Sequence, residues 1–156
     1  MATLNIDQVR ARREASIWTR IHPIFALGQV GAFFVSLLFL IAYFLGWMNF
    51  AAVHESVLIK ITLMIGAIVS GAFWEHDVFG PYWFAPEFFF EDAMTVNVFL
   101  LHLGYLIVVY TQPGDPAKAI FMLCIAYVVY LANVVQYVWR THKMGVDSRT
   151  KVAVTR

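Results

Sequence analysis

Charge is scarce in this chain. Charged residues make up 13% of its 156 residues, against 61% hydrophobic ones. A soluble domain carries charge on about a quarter of its residues, so too little is present here to cover a water-facing surface. An ordinary soluble domain is thereby excluded. The few cations form no basic stripe for tracking phosphates, and the formal net charge is only +1, which excludes a nucleic-acid partner as the natural reading. Cysteine is nearly absent. The single Cys124 cannot form an intrachain disulfide, and its place in an apolar run reads as a buried structural thiol. A small-x-small cleavage pattern is also missing after the first apolar run, which is too long for a signal peptide and reads as a first spanning helix.

What the chain has instead is four apolar runs, about 24–44, 57–74, 93–110 and 117–139. Each is roughly long enough for a hydrocarbon core of about 30 Å at about 1.5 Å per residue. Inside lipid the backbone must pair within its own segment, so the runs are helices. Short connections, such as Thr111-Gln-Pro-Gly-Asp-Pro116, make neighbours antiparallel. The expected fold is an all-α membrane protein, a single integral domain over 1–156 built as an up-down bundle of four transmembrane helices. Lys60, near the start of the second run, is expected to snorkel to the headgroups.

Arg10, Arg12, Arg13 and Arg20 precede the first run, and Arg140, Lys143, Arg149, Lys151 and Arg156 follow the fourth. The positive-inside rule places both termini in the cytoplasm and puts the segment 75–92 on that same side. With Trp74, this segment interleaves five carboxylates and one histidine with eight aromatics, and Pro81 and Pro86 interrupt it. One reading is an aromatic interfacial belt with solvated acids. The other is an acid/base site at an apolar mouth, where carboxyl groups beside rings hold a proton closer to neutral pH.

The third run sets Glu91, Thr95, Val98 and His102 on one helical face, with His102 roughly 16 Å deeper than Glu91. An ionisable group at that depth is either a neutral histidine bonded to a neighbouring helix or a functional group, including a ligand for the central metal of a tetrapyrrole. The fourth run sets Tyr130, Asn133 and Tyr137 on one face, as interhelical hydrogen-bonding residues or as the wall of a pocket for a planar ligand.

The residues Trp74-Glu75, Val78-Phe79-Gly80, Phe84-Ala85-Pro86, Phe88-Phe89 and Glu91-Asp92 resemble the 3-vinyl (2-vinyl) bacteriochlorophyllide hydratases. The similarity continues through Leu101-His102 and Tyr105-Leu106, Ala126-Tyr127-Val128 and Asn133 to Trp139. Upstream it takes in Arg12-Arg13, Ala15-Ser16 and Trp18-Thr19. The chain departs from the family pattern at Phe90, where a tryptophan is expected, and at Glu87, where an alanine is. His76-Asp77 also makes the segment more acidic than the family's.

The resemblance implies an enzyme of bacteriochlorophyll biosynthesis, a hydro-lyase. It adds water across the 3-vinyl group of a chlorophyllide to give 1-hydroxyethyl. The implied catalytic residues are Glu91 as general acid, with Asp92 or Glu75 as base or water-positioner. The implied substrate-binding residues are His102, Trp74, Phe79, Phe88, Tyr105, Tyr130 and Asn133. No cofactor is required. The substrate carries its own magnesium, for which His102 is a possible ligand, and the protein needs no metal of its own. Partners on this reading are the tetrapyrrole, the lipid bilayer of a bacterial inner or intracytoplasmic photosynthetic membrane, and other enzymes of the pathway or a photosynthetic complex. The alternative is a non-catalytic pigment-binding or accessory subunit of such a complex, derived from the hydratase fold.

Overall fold

A computed structural model describes residues 6–86 and 88–154, with side chains over 6–86 and 88–139. Glu87 and the side chains of Arg140, Lys143, Arg149, Lys151 and Arg156 lie outside the described residues. The chain is all-α. It divides into two compact units, Met1–Phe89 and Phe90–Arg156, described in turn.

The first unit holds α1 (Ile6–Ala15), α2 (Trp18–Phe44) and α3 (Phe50–Phe79). α2 ends in a left-handed residue, Gly46 at φ 74°, where the Trp47 N–H reaches back to the Ala42 carbonyl at 2.9 Å. α3 opens on Asn49, whose side chain accepts the Ala52 N–H at 3.0 Å. It closes at Gly80, at φ 103°, followed by Pro81. α2 is apolar all round: Phe33, Ser36 and Leu40 are buried, while Phe34, Val35 and Leu38 face outward, as lipid permits.

Side chains join α3 to α2, and to the turn before α2, in a constant antiparallel register. Ser16 donates to Asp77 at 2.6 Å, the Trp74 indole N–H donates to Thr19 at 3.1 Å, and His22 meets Ser70 at 3.2 Å. Gly66 lies against the Phe25 ring, the Lys60 ammonium lies 6.0 Å from the centre of the Phe33 ring, and the Ser36 and Ser56 hydroxyls are 2.8 Å apart. Polar pairs of this kind hold membrane helices together at about 0.6 kcal/mol each.

Two expectations are corrected in this unit. Lys60 does not reach the headgroups: it is 0% exposed, because α3 begins at Phe50 and so carries it about 15 Å in from the helix start, on the face that packs against α2. The segment 75–92 is not one long connection, since α3 runs on through Phe79 and α4 begins at Phe89. Carboxylates and a histidine do not stop a helix, whereas Gly80-Pro81 does. An additional helix, α1, precedes the first span.

The second unit holds α4 (Phe89–Thr111) and α5 (Pro116–Val154). Their connection is fastened by Lys118, which reaches Gln112 at 2.8 Å and Asp115 at 3.3 Å. Its hydrogen bonds hold the Asp115 carboxyl below the usual carboxylate range. Val98, His102 and Tyr105 are the buried residues of α4, and Leu123, Ala126, Tyr127 and Tyr130 are buried on α5. Cys124 is half-buried rather than enclosed. α2, α3, α4 and the stretch Pro116–Trp139 are each long and apolar enough to cross a membrane, consistent with a membrane bundle.

Candidate functional site

In the first unit the last turns of α3 and the reversal after it gather an aromatic cluster. Trp74, Phe79 and Phe88 meet edge to face, with ring centres 6.0 Å apart for Trp74–Phe79, 5.7 Å for Trp74–Phe88 and 5.5 Å for Phe79–Phe88. Edge-to-face contact is a preferred arrangement for such rings, each pair setting the rim of one against the face of another. Glu75 lies beside this cluster and is 4% exposed. One of its carboxylate oxygens accepts the N–H of Ala85, itself fully buried, at 2.9 Å. That bond folds the reversal back onto α3. The neighbouring Phe84 takes a left-handed conformation at φ 59°, unfavourable for a bulky residue and held by its surroundings. His76 stacks on Tyr82 with ring centres 3.9 Å apart, and its Nδ1 bonds to the Gly80 carbonyl.

The N-terminal residues complete this part of the site. Asp77 accepts the Ser16 hydroxyl, the Trp74 indole N–H is bonded to Thr19, and Arg12 donates to the Val78 carbonyl at 3.4 Å. The Arg13 guanidinium lies over Trp74, 5.7 Å from the ring centre, within cation–π range. In the sequence these arginines counted toward topology and the family resemblance, with no place in the site. The signal that could have found them was the family-like run Arg12-Arg13, Ala15-Ser16 and Trp18-Thr19.

In the second unit Glu91 and Asp92 occupy the first turn of α4 and are half-buried. The peptide dipoles at a helix N-terminus favour negative charge there. His102 is 0% exposed, and its Nδ1 lies 2.8 Å from the Val98 carbonyl oxygen. A carbonyl only accepts, so Nδ1 carries the hydrogen, and in the neutral ring Nε2 carries the lone pair. The Tyr127 ring lies 6.1 Å from that of His102. Tyr105 and Tyr130 are buried, Asn133 is half-buried and Tyr137 is exposed. Tyr130 and Tyr137, seven residues apart on α5, thus differ in burial along the helix. Among the described residues no three His, Cys, Asp or Glu side chains form a group that could hold a metal ion.

These features define a class: a multi-pass helical membrane protein with a carboxylate-bearing aromatic cluster beside its spans. The family profile described as 2-vinyl bacteriochlorophyllide hydratase matches residues 6–143. The chain is 36% identical over 152 residues to the 2-vinyl bacteriochlorophyllide hydratase of Rhodobacter capsulatus, covering 97% of this chain and 88% of that one. It is 37% identical over 145 residues to the protein of the same name from Cereibacter sphaeroides, covering 92% and 89%. The chain belongs to the 2-vinyl bacteriochlorophyllide hydratase family. Membership supports a hydratase-type, hydro-lyase-like role in bacteriochlorophyll biosynthesis. No solved structure matches the chain.

Proposed function

We propose that this protein adds water across the 3-vinyl group of a chlorophyllide or bacteriochlorophyllide, giving the 1-hydroxyethyl derivative. The observation that carries the reading is the family match over residues 6–143, which includes the whole aromatic and acidic stretch from Trp74 to Asp92. The cluster of Trp74, Phe79 and Phe88 suits a broad conjugated ring, and Tyr105, Tyr130 and Asn133 are offered as further substrate-binding residues. In the reaction a carboxylic acid gives its proton to the terminal vinyl carbon. Positive charge then develops on the carbon next to the macrocycle, which spreads it. Water bonds to that carbon as a carboxylate takes one of its protons. The sum is one water added, and no electrons are gained or lost.

The proton donor on this reading is Glu91, beside Phe89 and Phe90, and the acceptor is Asp92. Glu75 shapes the reversal against which the substrate rests. Nε2 of His102 is the nitrogen suited to the substrate's magnesium, since the Val98 carbonyl holds the other ring nitrogen, an arrangement typical of metal-binding histidines. Both termini lie on the cytoplasmic side, so the acidic and aromatic segment opens to the cytoplasm. The deciding experiment supplies the vinyl pigment to membranes containing this protein alone. Wild type forms the hydroxyethyl product. Glu91→Gln, present in the membrane at the same level, loses at least about a hundredfold in rate, the range of a missing general acid. Normal turnover by that variant removes Glu91 from the mechanism, and no conversion by wild type removes the hydratase reading.

A further inference from the structure

An open groove of about 660 Å³ runs between α1 and the end of α3. Its apolar sides are Ile6, Val9 and Phe79, and its polar ones are Arg10, Arg13, Glu14 and Thr19. Nothing in the hydration chemistry uses it. Three observations point to an anionic occupant with a flat apolar body. Arg13 has no carboxylate partner among the described residues and lies over the ring of Trp74. A guanidinium so placed keeps its donor edges for another group. Arg10 is bonded to Glu14 at 3.1 Å, but both side chains are largely exposed, at 80% and 69%, so the pair is weak and easily exchanged. Finally, Phe79 belongs both to the groove and to the cluster with Trp74 and Phe88. A macrocycle resting on that cluster therefore has its edge at the arginines.

The relatives are named for a bacteriochlorophyllide, a class of pigment that bears a free carboxylic acid where the corresponding chlorophyll bears a long-chain ester. We propose that Arg13, assisted by Arg10, binds this carboxylate, and that the groove selects the free acid over its ester. The inference rests on the substrate class given under Proposed function. A guanidinium and a carboxylate form short, charge-assisted hydrogen bonds, which a neutral ester reproduces poorly. Arg12 takes no part, since it is engaged with the Val78 carbonyl.

The test is binding, which needs no turnover. The full chain in nanodiscs of zwitterionic lipid is titrated with the vinyl chlorophyllide and with its methyl ester, and quenching of tryptophan fluorescence is followed. Wild type binds the acid about tenfold more tightly than the ester, the ratio expected for one charged hydrogen-bonded contact. Arg10→Met with Arg13→Met binds both pigments with the affinity wild type shows for the ester. Arg13→Lys, which keeps the charge, retains part of the preference. Equal binding of acid and ester by wild type overturns the proposal, as does a preference that survives in the double variant. A double variant that loses the ester as well shows that the arginines serve the fold. Adding anionic lipid distinguishes a headgroup site: a preference abolished by such lipid assigns the groove to lipid and likewise overturns the proposal. Wild type that discriminates acid from ester but never converts the acid removes the hydratase reading and leaves the carboxylate site standing.

Discussion

Glu75 allows shape and charge to be separated in one pair of substitutions. Its carboxylate accepts the N–H of the fully buried Ala85 at 2.9 Å. Glu75→Ala removes the acceptor and leaves that donor buried without it, at a cost of about 1–3 kcal/mol. Glu75→Gln keeps an oxygen in the same place and gives a neutral bond of about half the strength, so it costs about 1 kcal/mol, a factor of about five. If Glu75 serves to hold the reversal, Glu75→Ala lowers turnover of the vinyl pigment by about ten- to a hundredfold, and protease cuts faster between Gly80 and Phe88. Glu75→Gln stays within about fivefold of wild type and resists the protease equally well. Rates are read by pigment absorbance in isolated membranes, and cleavage by mass spectrometry. A Glu75→Gln variant as inactive as Glu75→Ala, with the reversal still protected, would overturn this role, because the negative charge itself would then belong to the chemistry.

Other substitutions test the scaffold. Asn49→Ala removes the cap on α3 and should lower stability in detergent by about 1 kcal/mol, whereas Asn49→Asp should not, as read by thermal melting. A Cβ at Gly66 would stand 2.4 Å from a ring carbon of Phe25. Gly66→Leu should therefore destabilise by about 1–3 kcal/mol, with part of the loss recovered when Phe25→Ala is added. A double-mutant cycle on Ser36 and Ser56, 2.8 Å apart, should return a coupling of about 0.6 kcal/mol, and a coupling of zero would remove that pair from the account of how α2 holds α3.

The spans were legible in the sequence because hydrocarbon thickness sets their length and lipid demands their composition. Their ends were less so. The second apolar run is shorter than α3 because helix limits are set by Asn49 and Gly80, whose effect is local and independent of hydropathy. α1 was not legible: it buries no residue of its own and lies outside the four apolar runs. Lys60 was misread because hydropathy gives depth but not facing. For the candidate site, the crowding of acids and rings between Trp74 and Asp92 was visible as an anomaly. Its support was not, since Ser16 and Thr19 lie 61 and 55 residues before the side chains they hold.

The antiparallel rungs between α2 and α3 bear on how the protein enters its membrane. His22 and Ser36 stand on one helix, and Ser56, Lys60 and Ser70 on the other. Inserted singly, each helix would carry its polar atoms into hydrocarbon without the partners that satisfy them. Delivered as a closed hairpin, both arrive already matched. The rungs at Thr19 with Trp74 and Ser16 with Asp77 are then the last to form, at the end of the hairpin where the aromatic cluster sits. Biogenesis and construction of the cluster thus become one event, and a chain caught with α2 inserted alone would lack the cluster as well as the second span.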